Sequence, residues 1–286
     1  MVLGTLHHDS AQGVKRLTAA HDNEEVLRVA NWLASATYLE QQNDYFSKVH
    51  PGTGQWLLTH SSYLAWRNGS IPTLVLPGIP GAGKTFLASV LVNDLQKHVS
   101  EGDNAALAFS YSNFRRTDSQ STVQIISSII RQLFLHQPQR MDAVKSMYKA
   151  HHDRLPATKP SLEELALTSE KALSTFSKVS FVIDALDECN GPDEAYRKPW
   201  QYLLTLLFRL QEEWRPRVSL QILVSFRPIL EIDNFFPRCE RLAIHASEDD
   251  LAVYCGAIIP KISCITRKAE MHSRISRAIC KSAQGM

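Results

Sequence analysis

The chain lacks any apolar run long enough to span a bilayer. Its longest strongly apolar run, from Tyr202 to Phe208, contains one threonine, whereas a membrane helix needs about 18 apolar residues. The first residues also lack a basic start followed by an apolar stretch, so they do not form a secretory signal peptide. Glycine and proline number 12 and 13 among 286 residues, too few for a collagenous or low-complexity chain. The composition predicts a globular protein, because 44 % hydrophobic residues are enough to form a core.

Cysteine is scarce, and its spacing indicates no special chemistry. The five cysteines contain no CxxC pair, and their number is odd. A disulfide framework or a zinc site is therefore not expected, and reduced thiols in a cytoplasmic compartment fit the composition better. Cys189 follows an acidic cluster, and we expect it to be a small, partly buried residue rather than a reactive one.

The chain as a whole has no excess of one charge sign, with a formal net charge of +2. Only the stretch from residue 261 onward is basic, with six basic residues and one acidic residue. A patch for nucleic acid or membrane is conceivable. However, apolar residues recur there at helical spacing: Met271, Ile275, Ala278 and Ile279. We therefore expect the solvated face of an amphipathic helix and no specific nucleic-acid partner.

Short apolar runs alternate with longer helical patterns along most of the chain. After a helical lead-in over 23–66, interrupted at 51–54, we predict strands over 71–76, 105–111, 179–183, 220–224 and 241–244. Helices are predicted over 85–99, 123–135, 162–176 and 202–214. A capping box of Ser161 and Glu164 opens the third of these helices. Apolar strands without polar alternation are typical of a parallel sheet covered on both faces, so we predict an α/β fold.

A phosphate-binding motif follows the first predicted strand directly. Residues 78–85 read GIPGAGKT, which satisfies GxxxxGK[ST] and lies between an apolar strand and an amphipathic helix. Glycine lets the backbone fold around phosphate oxygens, and the helix presents its N-terminal dipole to the anion. We expect Lys84 to reach the β- and γ-phosphates and Thr85 to ligate Mg²⁺. The predicted nucleotide-binding residues are Gly78, Ile79, Pro80, Gly81, Ala82, Gly83, Lys84, Thr85 and Phe86.

An acidic cluster ends the third predicted strand, in the sequence FVIDALDE over 181–188. Asp184 falls at the carboxyl edge of the sheet, where open α/β sheets bind ligands, and is the natural partner of Mg²⁺. Either Asp187 or Glu188 could orient or deprotonate an attacking water. Three carboxylates within five residues repel one another unless a cation lies nearby, and a metal ion would supply that charge. The alternative interpretation is an acidic helix start, but the nearby phosphate loop favours the functional one.

The fourth predicted strand ends in VSFRP over 224–228, at the same edge of the sheet. An arginine at that edge can sense a γ-phosphate. The alternative is a surface arginine that merely follows a strand. We count Arg227 with Asp187 and Glu188 as candidate catalytic residues.

In this order, the three motifs resemble those of NACHT-type NTPases of the STAND class, and most closely the fungal group of nephrocystin-3-like N-terminal domains. Upstream, residues 52–58 (GTGQWLL) and Trp66 resemble the lead-in of that group; downstream, residues 247–251 (SEDDL) resemble the opening of its helical domain. The resemblance implies a three-layer α/β/α P-loop NTPase fold with a five-stranded parallel sheet of order 5-1-4-3-2. The implied domains are a flexible N-terminus (1–22), a helical lead-in (23–70), the NTPase domain (71–245) and the start of a helical domain (246–286).

The resemblance also implies a function. ATP, or in some members GTP, would bind with Mg²⁺, and slow hydrolysis would drive a signalling switch in an innate-immunity or heterokaryon-incompatibility-like pathway. Self-association or contact with other STAND or effector proteins would follow. Ala185 stands where the family often has glycine, and we expect no loss from that exchange. Family members continue into a winged helix and often repeats, so we expect this chain to be a fragment or a short form.

Two other functions remain open at this point. A non-catalytic module would bind nucleotide for folding and act as a scaffold. A small-molecule P-loop kinase would carry an arginine-rich lid, for which Arg115 and Arg116 are the one candidate pair. Trp56 could pack near the nucleotide base, but the favoured interpretation is that Trp32, Trp56 and Trp66 form the core of the helical lead-in.

Overall fold

Five parallel strands form one sheet: β1 (Thr73–Pro77), β2 (Ala105–Tyr111), β3 (Lys178–Asp184), β4 (Ser219–Phe226) and β5 (Glu240–Arg241). Their spatial order is β2-β3-β4-β1-β5, which is the expected 5-1-4-3-2 counted from the other edge. Strand β4 therefore lies between β1, which leads into the phosphate loop, and β3, which ends in Asp184. This order brings the carboxyl ends of three strands together at one edge of the sheet.

The computed structural model describes residues 23–34, 38–99, 104–113, 121–154, 156, 158–189, 198–262 and 269–283. The segment 1–22, the Arg115 and Arg116 pair and Cys264 lie outside the described residues. The other four cysteines are free thiols. In the described part of the chain, no helix has both the length and the apolar character that crossing a membrane requires.

Helices cover both faces of the sheet. In chain order they are α1 (23–33), α2 (Tyr38–Ser47), α3 (Gln55–Thr59), α4 (Ser61–Arg67), α5 (Lys84–His98), α6 (Thr122–His136), α7 (Asp142–His152), α8 (Leu162–Leu173), α9 (Pro199–Trp214), α10 (Leu230–Asp233), α11 (Glu248–Ile258) and α12 (Ala269–Ala283). Side chains alternate along β1, so Leu74 and Leu76 enter the core beneath α2–α5 while Val75 enters the core beneath α6–α9. Both faces of the sheet are apolar, and the three-layer α/β/α architecture is confirmed.

Four predicted strands and the helices between them lie where the sequence pattern placed them, within a few residues. The capping box of Ser161 and Glu164 is present at the start of α8. The predicted fifth strand, 241–244, is wrong in its bounds, because only Glu240 and Arg241 pair as a strand. The chain nevertheless continues along β1, since the Ile244 amide donates to the Pro77 carbonyl over 2.7 Å.

The lead-in is held to the centre of the sheet. Its predicted helix over 55–66 is interrupted by His60, whose extended backbone and ring nitrogen cap α4. The indole N–H of Trp66 donates to the carbonyl of Ile222 in β4 over 3.0 Å, and Trp66 is fully buried. Trp66 is therefore a core residue, as the favoured interpretation held.

The last helix, α12, is present as expected, but its apolar face is only partly covered among the described residues. Met271 and Ile279 remain 37 % and 39 % exposed. The amphipathic pattern therefore predicted the helix correctly, whereas the burial that such a pattern usually indicates is incomplete among the described residues.

Candidate functional site

The phosphate loop connects the end of β1 to the first turn of α5. Gly81 and Gly83 have φ angles of 84° and 87°, in the left-handed region that strains any side chain. Gly78 is required for a different reason: a Cβ there would lie 2.9 Å from the carbonyl oxygen of Ile244. The loop is thus shaped by three glycines, and its backbone curls ahead of the N-terminus of α5 as an anion site requires.

Lys84 lies over this loop. Its Nζ donates to the carbonyls of Gly78 and Ile79 over 2.5 and 3.1 Å. Burial lowers the pKa of Lys84, while the carboxylates of Asp187 and Asp184 act in the opposite direction. The ammonium group is therefore placed between the loop and the acidic residues, where phosphate oxygens would be its strongest acceptors.

Asp184 ends β3 and is buried, with 1 % of its surface exposed. Its Oδ1 accepts a hydrogen bond from Ser225 Oγ over 2.5 Å, whereas its Oδ2 is buried without a hydrogen-bond partner. Burial raises the pKa of this carboxyl, and the nearby hydroxyls of Ser225 and Thr85 and the charge of Lys84 act in the opposite direction. A cation beside Oδ2 would reverse the effect of burial.

These residues fit Mg²⁺. An unpartnered carboxylate oxygen next to the Thr85 hydroxyl offers the oxygen ligands that this ion takes. Over the described residues, no group of three or more His, Cys, Asp or Glu could hold a metal. The remaining ligands would therefore be phosphate oxygens and water, as is usual for Mg²⁺ at nucleotide sites.

Asp187 and Glu188 form a short 3₁₀ turn after β3, and the cation beside them is Arg227 at the end of β4. The Arg227 Nε lies 3.1 Å from Asp187 Oδ2, and its terminal nitrogen contacts Glu188 Oε1. The sequence predicted a cation near these three carboxylates, with a metal ion supplying the charge, and the structure adds a side chain to that prediction. Arg227 neutralises two of them, and it can do so because the strand order places β4 beside β3.

Ala185 carries a local strain that the sequence did not indicate. Among the described residues it is the one non-glycine with a positive φ, at 54°. Its N–H donates to Ser225 Oγ over 2.9 Å, which holds this conformation. A left-handed backbone costs an L-residue about 1–2 kcal/mol. Glycine would occupy this position without that strain, and the expectation that the exchange causes no loss stays a prediction.

A cavity of about 310 Å³ lies beside the phosphate loop. Three segments line it: the loop at 48–54, the start of α5 with the half-exposed Phe86, and residues 245–254. Two contacts join the first segment to the third. The Gly54 N–H lies 3.0 Å from both carboxylate oxygens of Asp250, and the rings of His50 and Tyr254 are 5.7 Å apart.

Sequence reasoning missed this cavity as a binding surface. The resemblance pointed to the segments that contain Gly54 and Asp250, but no spacing rule indicated that they meet. Trp56, which was considered as a base contact, does not line the cavity and packs partly buried against the apolar core instead. Phe86 is the one predicted nucleotide-binding residue outside the motif itself, and it does line the cavity.

The strand order and the loop between β1 and α5 define a P-loop NTPase fold. The family model described as "Nephrocystin 3, N-terminal" matches residues 52–227, which is more than half of the chain. The chain therefore belongs to the nephrocystin 3 N-terminal family. The match begins in the lead-in and ends at Arg227, so it contains the first two motifs and all of the third except Pro228.

Comparison with curated proteins found no match. Among solved structures, a DNA replication initiation factor is 12 % identical with a TM-score of 0.42, covering 81 % of this chain and 58 % of that one. Drosophila ORC bound to DNA is 16 % identical with a TM-score of 0.42, covering 82 % and 50 %. AMPPCP-bound DnaA from Aquifex aeolicus is 13 % identical with a TM-score of 0.39, covering 84 % and 64 %.

The chain thus spans between half and two thirds of the length of these three structures. Similarities this distant do not indicate what the present chain binds.

Proposed function

We propose that this chain binds a nucleoside triphosphate, ATP or GTP, together with Mg²⁺ and hydrolyses it slowly as a STAND-type signalling switch. One observation carries the proposal: the phosphate loop and the unpartnered Asp184 oxygen lie at the same edge of the sheet, with Lys84 and Thr85 between them. Carboxylate, hydroxyl and ammonium groups around a glycine-containing loop at a helix N-terminus are the set that phosphoryl transfer requires.

The phosphates would displace the carbonyls of Gly78 and Ile79 as acceptors for Lys84. Thr85 and Asp184 would hold Mg²⁺, which neutralises charge on the phosphate oxygens when bound. The cavity beside the loop would take the base and ribose, and its mixture of rings, glycines and polar groups fits either purine.

The Arg227 ion pairs support slow turnover. Glu188 is the candidate for orienting water, but its carboxylate is held by Arg227. A γ-phosphate would attract the same guanidinium, and its movement toward the phosphate would release Glu188. Hydrolysis would then require Arg227 to exchange Glu188 for the γ-phosphate, which only a triphosphate carries.

The same contacts favour a second candidate, a module that binds nucleotide without hydrolysing it. If Arg227 remains ion-paired with both Asp187 and Glu188 when nucleotide binds, neither carboxylate is available to activate water. Nothing among the described residues favours the kinase alternative, since its candidate lid lies outside them.

Family membership supports the signalling role only indirectly. We propose that the chain acts in the cytoplasm, in an innate-immunity or heterokaryon-incompatibility-like pathway. Its partners would be further copies or other STAND and effector proteins. These assignments depend on the resemblance stated for the three motifs and its extension to the lead-in.

The test compares Lys84→Ala with Lys97→Ala, which removes the same charge from the exposed far end of α5. We expect Lys84→Ala to abolish binding of a fluorescent ATP analogue with Mg²⁺, and Lys97→Ala to leave binding unchanged. Equal affinity in the two variants would refute the proposal.

Product analysis then separates the candidates. Free phosphate that disappears in Glu188→Gln supports hydrolysis. Tight binding without turnover supports the non-catalytic module. A phosphorylated acceptor would indicate a kinase.

A further inference from the structure

A second cavity lies at the β2 edge of the sheet, away from the phosphate loop. Its volume is about 280 Å³, and it is bounded by α2, the end of α5, strand β2 and helix α6. Six side chains make its wall mainly apolar: Tyr38, Leu39, Val99, Leu107, Phe109 and Leu135. Leu39 and Leu135 are more than a third exposed, so apolar surface reaches the opening.

Arg131 is the charged group in this cavity. Its Nε is buried without a hydrogen-bond partner, and no ion pair reaches its guanidinium from the described residues. Burial lowers the pKa of Arg131, with no carboxylate acting against it. A guanidinium that is partly withdrawn from water without a partner is destabilising, unless a ligand supplies the acceptor.

The other polar groups of the cavity wall restrict the kind of ligand that the cavity can bind. The Gln132 amide is engaged by the backbone of Phe109, at 3.0 and 2.8 Å. Burial lowers the pKa of His136, which disfavours a charge on its ring. Among the described residues, no Asp or Glu lines the cavity. Among the described lining residues, Arg131 is therefore the one permanent charge, and the cavity matches a ligand with a single negative charge.

We propose that this cavity binds a small amphipathic monoanion: a carboxylate that pairs with Arg131 and carries an apolar body against the walls from α2, β2 and α6. A carboxylate accepts two parallel hydrogen bonds from one guanidinium. A phosphate monoester would bring close to two charges and leave one unmatched. The apolar walls fit a medium-chain aliphatic acid, with its chain toward Leu107 and Phe109.

This cavity is separate from the nucleotide site. Helix α5 begins at Lys84 in the phosphate loop and is capped at Val99 in the cavity wall, about 20 Å away at the rise of an α-helix. The proposal does not depend on nucleotide binding, and the two are tested independently.

The experiment uses decanoate as the probe, below its micellar concentration, and measures binding to the whole chain by calorimetry. We expect saturable binding of one decanoate, and binding at least about tenfold weaker in Arg131→Gln because a charge-assisted hydrogen bond is lost. Decanol, which has the same chain without the charge, should also bind at least about tenfold more weakly. Lys97→Gln removes a nearby exposed charge outside the cavity and should bind decanoate normally.

A second variant and a stability measurement test the cavity independently of the loss of affinity in Arg131→Gln. Leu135→Asp places a negative charge at the opening of the cavity, where Leu135 is 38 % exposed, and should weaken decanoate binding by repulsion. Unfolding of ligand-free Arg131→Gln should occur at a higher temperature than that of the natural chain, because an unpaired charge is gone.

Equal decanoate affinity in Arg131→Gln, equal affinity for decanol, or displacement of decanoate by Mg²⁺-ATP would each overturn the proposal. Failure of nucleotide to bind would not affect it.

Discussion

Arg227 holds the carboxylate of Asp187 through a backbone hydrogen bond and a side-chain ion pair. The Arg227 backbone N–H lies 3.0 Å from Oδ1, and its side-chain Nε lies 3.1 Å from Oδ2. The Asp187 side chain is 3 % exposed, whereas that of Arg227 is 40 % exposed. A buried anion is thus stabilised by a cation that remains in contact with solvent, at the junction of β3 and β4.

Arg227→Gln should destabilise the chain by about 1–3 kcal/mol, because the buried Asp187 loses its charged partner and keeps only the backbone amide. Urea unfolding measures the change. Arg209→Gln is the matched control, since Arg209 pairs with the more exposed Glu170 at 2.8 Å and should cost less than about 1 kcal/mol. Coupling in a double-mutant cycle with Asp187→Asn should account for most of the Arg227 effect. Additive losses would mean that the ion pair contributes nothing.

Asp184 should make stability depend on pH in a direction opposite to that of most carboxylates. Burial raises its folded pKa above the unfolded value of about 4, so the folded state retains this proton more strongly. The free energy of unfolding should therefore fall as the pH rises from the unfolded to the folded pKa, and it should stay lower above that window.

Asp184→Asn should remove this slope, and without nucleotide it should be at least as stable as the natural chain at neutral pH. It should also lose the stabilisation that Mg²⁺ and nucleotide provide, because a ligand of the cation is missing. Thermal unfolding across pH, with and without Mg²⁺-ATP, measures both effects. A stability curve of Asp184→Asn that keeps the same slope would contradict the prediction.

The candidate site could be predicted where its residues are contiguous. The motif from Gly78 to Thr85 carries its own context, a strand before it and a helix after it, so eight neighbouring letters were sufficient. The role of Asp184 could be predicted for the same reason, because an apolar run that ends in aspartate places the carboxylate at a sheet edge.

Contacts between segments that are distant in the sequence could not be predicted in this way. Arg227 meets Asp187 only because β4 is inserted beside β3, and a linear pattern does not give neighbour order. The sequence showed that the carboxylates need a cation but not which cation. The contact between Gly54 and Asp250 joins residues 196 positions apart, and no periodicity indicates it.

The fold shows a similar division. Helix α7 was missed although Val144, Met147, Tyr148 and His151 are buried at helical spacing, so its signal was present in the sequence. The apolar pattern of 241–244 did not give the bounds of β5, because the regular ladder ends at Arg241 although Leu242 and Ile244 still donate to backbone carbonyls of β1.

Gly78→Ala should destabilise the chain by about 1–3 kcal/mol and weaken nucleotide binding by about tenfold. The new Cβ would lie 2.9 Å from the Ile244 carbonyl oxygen and 3.3 Å from Lys84 Cδ, so backbone and lysine would both have to shift. Gly256→Ala is the matched control, since no atom lies within 4 Å and the position is inside α11. That variant should be stabilised by about 0.5–1 kcal/mol. Urea unfolding and nucleotide titration of both variants check the pair, and a tolerated Gly78→Ala would show that the loop adapts.

Asp250→Ala should weaken binding of the whole nucleotide but not of its phosphates. The Asp250 carboxylate holds the Gly54 amide at 3.0 Å and thereby fixes two walls of the cavity beside the phosphate loop. Without it, the affinity for Mg²⁺-ATP should fall by about tenfold, the value of one lost charge-assisted hydrogen bond. Inorganic tripolyphosphate reaches only the loop and should bind Asp250→Ala as it binds the natural chain. Asp249→Ala, an exposed acid one position away that does not line the cavity, is the control and should bind both ligands normally. Equal losses for ATP and tripolyphosphate would mean that Asp250 supports the phosphate loop itself, and no loss for either would exclude this cavity as the place of the base.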